Sequence, residues 1–312
     1  MAIAKPLPRI SIPRKPSRIG AAIGLVTRSR TALVGLAMVL FWVVVALFAD
    51  DCLINPACWV GSKNYKSTPL LARYGWEESF RGEQMQDPSA KHWLGTDRQG
   101  RDLWARIAHG ARIILVLAPA SVLLAVLIGG ALGLMAGYFG GWVDEAIMRL
   151  LDALLAFPQI LLYLVILAAL GPSAVNVVLA IVIAGTPGIA RLVRSLTLDI
   201  KTRDYIAAAQ TRGESAWYIM FVEILPNARG PILIDAMLRI GYAVFAIGTL
   251  GFLGLGLPPP SPDWGSIVNA GRKFIQAGHV GDAVFASLAT ASLVVGLNLM
   301  ADGMQEELNR YR

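Results

Sequence analysis

The sequence predicts an all-α polytopic membrane protein with six transmembrane helices, and three observations carry that prediction. Of 312 residues, 55% are hydrophobic and 16% charged, which leaves too little polar surface for a soluble chain of this length. Uncharged stretches recur at the length a bilayer demands, about 20 residues per helical pass. They are apolar on every face rather than alternating in segments of about ten, which excludes a transmembrane barrel.

Residues 1–30 form a basic tail carrying Lys5, Arg9, Arg14, Lys15, Arg18, Arg28 and Arg30 without an acid. Such a bias belongs on the cytoplasmic side, so the amino terminus is expected inside, and the net charge of +7 reads as an orientation signal rather than a nucleic-acid footprint. A cleaved signal peptide is the rival reading; the polar lead is long for one and no A-x-A site follows the apolar run, so an uncleaved first helix over 31–49 is preferred. Residues 50–112 then lie outside. Cys52 and Cys58, the only cysteines, fall there, where an oxidising compartment permits a disulfide and two free thiols are the alternative. No nearby histidine or second cysteine pair completes a metal set. The loop ends with Leu103, Trp104, Ile107, Ala108 and Ala111 at helical spacings and Arg101 and Arg106 off that stripe. This reads as an interfacial helix anchored on the membrane surface, with a transport role as the alternative.

Residues 113–303 hold the five remaining crossings. The second is expected over 113–139. The apolar run 153–190 is too long for one pass and divides at Gly171-Pro172-Ser173 into the third and fourth. The fifth and sixth are expected over 240–261 and 283–301, returning residues 304–312 to the inside. Phe157-Pro158, and Pro187 between Gly185 and Gly188, should each kink or break a helix. Ser121, Ala125, Gly129, Gly133 and Gly137 place a small residue at every fourth position, which suits close helix packing within the chain or a seam between two subunits. A carboxylate at the bilayer centre costs about 2.5–3.5 kcal/mol on insertion scales, so Asp152, Asp235 and Asp302 should face protein or water. Asp235 and Arg239, four apart, share a helix face and can pair. Asp152 either lines a substrate path or is hydrated at the cytoplasmic end.

Catalytic residues are not evident. His92, His109 and His279 all fall on the expected outer side, and none joins a nucleophile and a carboxylate. No G-x-x-x-x-G-K-[ST] occurs, so ATP energy would have to come from a partner. The expected inner loop, 195–229, is the most informative stretch. Asp204 stands as a candidate cap, Gly213 as a break, and a second helical run starts at Ser215 and should end at Pro226. An alanine face beside Trp217, Ile219, Met220 and Phe221 reads as a socket for another protein.

That loop resembles the E-A-A-x-x-x-G-x(9)-I-x-L-P signature of ABC importer permeases: Ala207-Ala208-Ala209, then Gly213, then Ile224-Leu225-Pro226. Two further stretches are similar to the second permease subunit of the dipeptide and oligopeptide branch, which also handles glutathione and nickel chelates. One is His92-Trp-Leu-Gly-Thr-Asp97-Arg-Gln-Gly100-Arg101-Asp102. The other is Phe252-Leu-Gly-Leu-Gly-Leu-Pro258-Pro-Pro-Ser-Pro-Asp263-Trp264-Gly265. Arg191-Leu-Val-Arg194 and Phe157-Pro158 fit as well. The resemblance spans about residues 30–308.

It implies an ABC type I importer permease fold in a bacterial inner membrane, multi-pass with both termini cytoplasmic, forming half of a pore for di- or oligopeptides. It further implies a sister permease, two ATP-binding subunits that hold ATP and Mg, and an extracytoplasmic solute-binding protein. No cofactor is expected on this chain itself. Residues 204–227 would then be the coupling loop, with Asp204, Ala207, Ala208, Ala209, Gly213, Glu214, Leu225 and Pro226 at the ATPase contact. Ala207 stands where the signature has glutamate, and Asp204 or Glu214 would have to replace that charge. Set against this is a self-sufficient secondary transporter or channel, driven by an ion gradient through Asp152 and Asp235.

Overall fold

The computed structural model describes residues 29–50 and 68–310; Cys52, Cys58 and most of the basic tail lie outside them. Nine helices follow along the described chain: α1 (Arg30–Leu47), α2 (Leu103–Phe139), α3 (Gly141–Leu155), α4 (Gln159–Leu170), α5 (Ala174–Lys201), α6 (Asp204–Thr211), α7 (Ala216–Phe252), α8 (Trp264–Gly271) and α9 (Gly281–Arg310). A 3₁₀ turn, Arg272–Ala277, follows α8. Among the described residues only isolated β-bridges occur.

Helices α1, α2, α5, α7 and α9 are each long and apolar enough to cross a bilayer, and α3 with α4, bent by 87° at their junction, make a sixth crossing if taken as one span. The bend falls at Phe157-Pro158, as the sequence predicts. At 12 residues α4 is about 18 Å long, too short to cross a core of about 30 Å alone.

Three expectations need correction. Pro226 does not end a helix. It occupies the first turn of a run that continues to Phe252, preceded by a π-turn over Ile219–Ile224 in which the Leu225 N–H reaches five residues back to the Met220 carbonyl. The wider turn accommodates a ring that would crowd an ordinary α-turn. Pro187 lies inside α5, which is unbroken from Ala174 to Lys201. Third, residues 103–112 are no surface anchor but the first turns of α2. Leu103, Ile107, Ala108 and Ala111 are buried, and so is Arg106. The apolar stripe is real; it faces protein.

The glycine ladder on α2 sets the centre of the bundle. A Cβ on Gly133 would stand 2.4 Å from the Ala190 carbonyl oxygen, and one on Gly137 2.7 Å from the Thr197 Cβ, so α2 and α5 touch backbone to backbone. Gly129 faces Thr186 and Ile189 on the same helix. The small-residue stripe is therefore an intrachain seam. Arg194 clamps α3 to α5 with two hydrogen bonds onto Asp144, and Arg191 bonds Asp152.

Candidate functional site

The two ends of the bundle are built differently. One end is a cap formed by residues 68–102, the start of α2, α8 and the start of α9. Its organising residues come from the two motifs flanking α2 and α8. His92 is fully buried between two carboxylates, Nδ1 at 2.8 Å from Asp102 and Nε2 at 2.9 Å from Glu83. Lys91 and His92 together hold the Glu83 carboxyl below its ordinary range. Asp102 also accepts from the Ala105 N–H, capping α2. Asp97 binds the backbone of Gln99 and Arg101 and the Arg101 side chain. Asp263 caps α8, accepting from the Gly265 and Ser266 N–H groups, and burial pushes its carboxyl up to about 6 despite those bonds. Trp264, also fully buried, donates to the Ile107 carbonyl and meets Trp42 edge to face at 4.9 Å. His109 and Arg112 both reach Asp50, at 3.5 and 2.8 Å, tying α2 to the end of α1. The sequence marks His92, Asp97, Arg101, Asp102, Asp263 and Trp264 as motif members but gives no sign of their partner Glu83 or of the bonds of Trp264 to Ile107 and of Arg112 to Asp50, which join segments 157 and 62 residues apart.

The opposite end carries α6, the Gly213 turn and the start of α7. Arg203, not Asp204, is the N-cap of α6; Asp204 is its first residue. The helix stops in a Schellman arrangement, with the Gly213 N–H on the Gln210 carbonyl and the Glu214 N–H on the Ala209 carbonyl. Gly213 has φ +78°, which a β-branched side chain adopts only under strain. Ser215 then caps the next run by accepting from the Tyr218 N–H. The Ala-rich face divides in two. Ile206 and Ala209 are buried against Ile219, Met220 and Ile224 and clip α6 to the bundle. Ala207 and Ala208 face outward with Tyr205, Tyr218, Val222 and a stacked pair, Trp217 and Phe221. Ile219, Met220 and Ala209 thus belong to the anchor rather than to the exposed socket. Pro226 is exposed and Leu225 half-buried. Glu214 lies 3.6 Å from Arg212, whereas Asp204 is exposed with no ion pair among the described residues. Asp204 is the acid left available where the signature has glutamate at Ala207.

Between the ends, α2, α4, α5 and α7 surround an open cleft of ≈ 230 Å³. Asp235, Arg239, Tyr242 and Thr249 lie along one face of α7, and the last three line the cleft. Arg239 Nε donates to Asp235, so the expected pair forms. Asp152 is likewise paired, with Arg191, and Asp302 is exposed. Among the described residues no group of histidine, cysteine and acidic side chains could hold a metal ion.

A bundle of membrane-length apolar helices with a cleft between them and an exposed apolar ledge at one end defines a membrane-spanning protein that presents a surface to a partner. Residues 129–311 match the family described as binding-protein-dependent transport system inner membrane component. The chain belongs to that family and is a multi-pass inner-membrane protein. It is 37% identical to the dipeptide transport system permease protein DppC of Alkalihalophilus pseudofirmus, across 90% of this chain and 86% of that one. It is 42% identical to the glutathione transport system permease protein GsiD of Pectobacterium atrosepticum, across 77% and 79%. With DppC of Haemophilus influenzae the identity is 35%, across 90% and 91%.

Proposed function

We propose that the chain is one permease subunit of an ATP-driven importer of di- or oligopeptides. It forms half of the pore with a sister permease, receives solute from an extracytoplasmic binding protein at the cap end, and docks a cytoplasmic ATPase through residues 204–227. The observation that carries the reading is the ledge of Tyr205, Ala207, Ala208, Trp217 and Phe221. These side chains are exposed although the helix beneath them is fixed by its own buried face. An apolar patch held rigidly in the open marks an interaction site, and the alanines let a partner approach the α6 backbone. The basic tail and the basic excess of residues 191–229, six basic against four acidic, support placing this end in the cytoplasm, with ATP and Mg on the two partner ATPase subunits.

Coupling is then a two-state problem. The ATPase dimer binds ATP better when closed, and closure moves α6; the pore responds because α6 is joined to α5 through Thr202 and Arg203 and clipped to the start of α7 by Ile206 and Ala209. Reconstitution tests this. Peptide uptake into vesicles should require the ATPase subunits and hydrolysable ATP. Uptake by the membrane subunits alone, driven by a proton or sodium gradient, would overturn it. The pairing of Asp152 and Asp235 with arginines already argues against either as a free proton carrier.

A further inference from the structure

We propose that the cap rests on the lipid headgroup layer through a strap, residues 69–73, and the neighbouring indole of Trp93. This holds whatever the cargo. The height of the strap comes first. α1 is 18 residues long, about 27 Å against the roughly 30 Å of a bilayer's hydrocarbon core, so its end at Leu47 and Phe48 stands at the membrane boundary. The strap is tied to that end by its backbone. The Leu70 and Ala72 N–H groups donate to the Ala49 carbonyl, and the Leu71 N–H donates to the Phe48 carbonyl. Asp50, which accepts from Arg112 at 2.8 Å, follows directly on Ala49. Such a carboxylate and guanidinium mark the edge of the hydrocarbon rather than its interior.

The direction of the strap comes second. Ala72 is buried, whereas Leu70 and Leu71 are exposed. α1 packs against α2 and α9 and leaves Leu33, Leu40, Val44 and Leu47 exposed at spacings of seven, four and three, with Phe48 beside the last. On a membrane-spanning helix that uncovered row meets lipid. Leu70 and Leu71, bonded to the residues that end the row, extend it past the helix.

The chemistry above the leucines comes third. Trp104 donates its indole N–H to the Leu71 carbonyl. Trp93 lies 6.2 Å from Trp104, is 50% exposed, and its own indole N–H has no acceptor among the described residues. Arg73 lies over the Trp93 ring at 4.7 Å and donates to the Ala90 carbonyl at 3.0 Å. Its backbone has φ +64°, a left-handed conformation that a residue with a side chain keeps only when its surroundings hold it. Arg73 therefore locks the strap to the loop that carries Trp93. Exposed leucines, then an indole N–H and a guanidinium, match the order in which a bilayer offers acyl chain, glycerol ester and phosphate. A protein partner would not require that order at that height. The surface anchor expected over 103–112 thus exists, built from residues that have no helical period to reveal them.

The test places p-benzoylphenylalanine at Leu71, at Trp93 or, as a control, at Gln99, which is exposed in the turn beyond the start of α2. Each full complex is reconstituted in vesicles of phosphatidylethanolamine and phosphatidylglycerol and irradiated. Because all three positions are exposed, ATPase activity should stay within about twofold of the unsubstituted complex. Mass spectrometry should find phospholipid joined at 71 and 93 about tenfold more often than at 99, with or without saturating binding protein. Fragmentation should put the new bond on the headgroup, the glycerol or the first acyl carbons. Adducts to the binding protein, to the sister permease or to residues 51–67 in place of lipid would overturn the proposal. So would bonds at the ends of the acyl chains, an equal lipid yield at 99, or no lipid adduct at either 71 or 93.

Discussion

The cap and the α6 ledge sit at opposite ends of one bundle and use their residues in opposite ways. The cap holds the side chains that usually signal chemistry, His92, Asp97, Asp102, Arg106 and Asp263, and buries every one of them. The ledge holds alanines, tyrosines, a tryptophan and a phenylalanine, the usual material of a core, and leaves most of them exposed. Charge is turned inward in the cap, and apolar surface is left open at the ledge, where the proposed ATPase contact would cover it. Residue type alone would assign the roles in reverse.

One tryptophan from each end gives the largest contrast. Trp264→Ala removes a fully buried ring and the donor to Ile107, and should cost about 3–5 kcal/mol. Trp217→Ala removes a ring that is 56% exposed and should change stability by less than about 0.5 kcal/mol. Thermal melts in detergent check both, and ATPase stimulation should fall for Trp217→Ala even though the fold is intact. Equal melting losses would break the comparison. A smaller effect is expected at Gly213. A Cβ there meets no neighbouring atom within 4 Å, so the cost is mainly conformational, about 1–2 kcal/mol for a left-handed residue, and is confined to the turn. Gly213→Val should assemble normally and lose stimulation by the binding protein several-fold; unchanged stimulation would remove the ledge from coupling.

The smallest effect concerns Asp263 and pH. Its carboxyl stands at about 6 in the folded protein against 3.8 for the free group, so the folded state holds the proton more tightly. That contribution is complete below about 4 and is lost as pH rises through 6. Asp263→Asn retains a side-chain acceptor for the α8 cap and should flatten the melting temperature between pH 4 and 6, sharpening the view of the cap as a closed ionic assembly. An unchanged pH profile would assign the dependence elsewhere.

The sequence made the membrane class, the apolar segments, the bend at Phe157-Pro158 and the Gly213 turn legible, because length, hydropathy and backbone preference are local properties. It misread Pro226 as a stop because the remedy, a wider turn just before it, has no residue signature. It misread Arg106 because a stripe of apolar residues is the same whether lipid or protein covers it. It could not decide what the Gly129, Gly133 and Gly137 ladder touches, since small residues specify nearness without naming the neighbour. Arg194 and Asp144 were visible singly, and only the fold brings them together.

The seam between α2 and α5 has a mechanical consequence. Two helices in backbone contact over several turns slide poorly and behave as a single stiff plank. α2 alone runs for 37 residues, about 55 Å. One edge of that plank carries α6 on a two-residue tether; the far edge is embedded around Trp264 and His92. A tug delivered by an ATPase therefore need not spread through soft side chains to be felt across the bilayer. On the proposed coupling it would tilt a rod, and the rod's distant tip would displace the surface on which a cargo-bearing visitor lands.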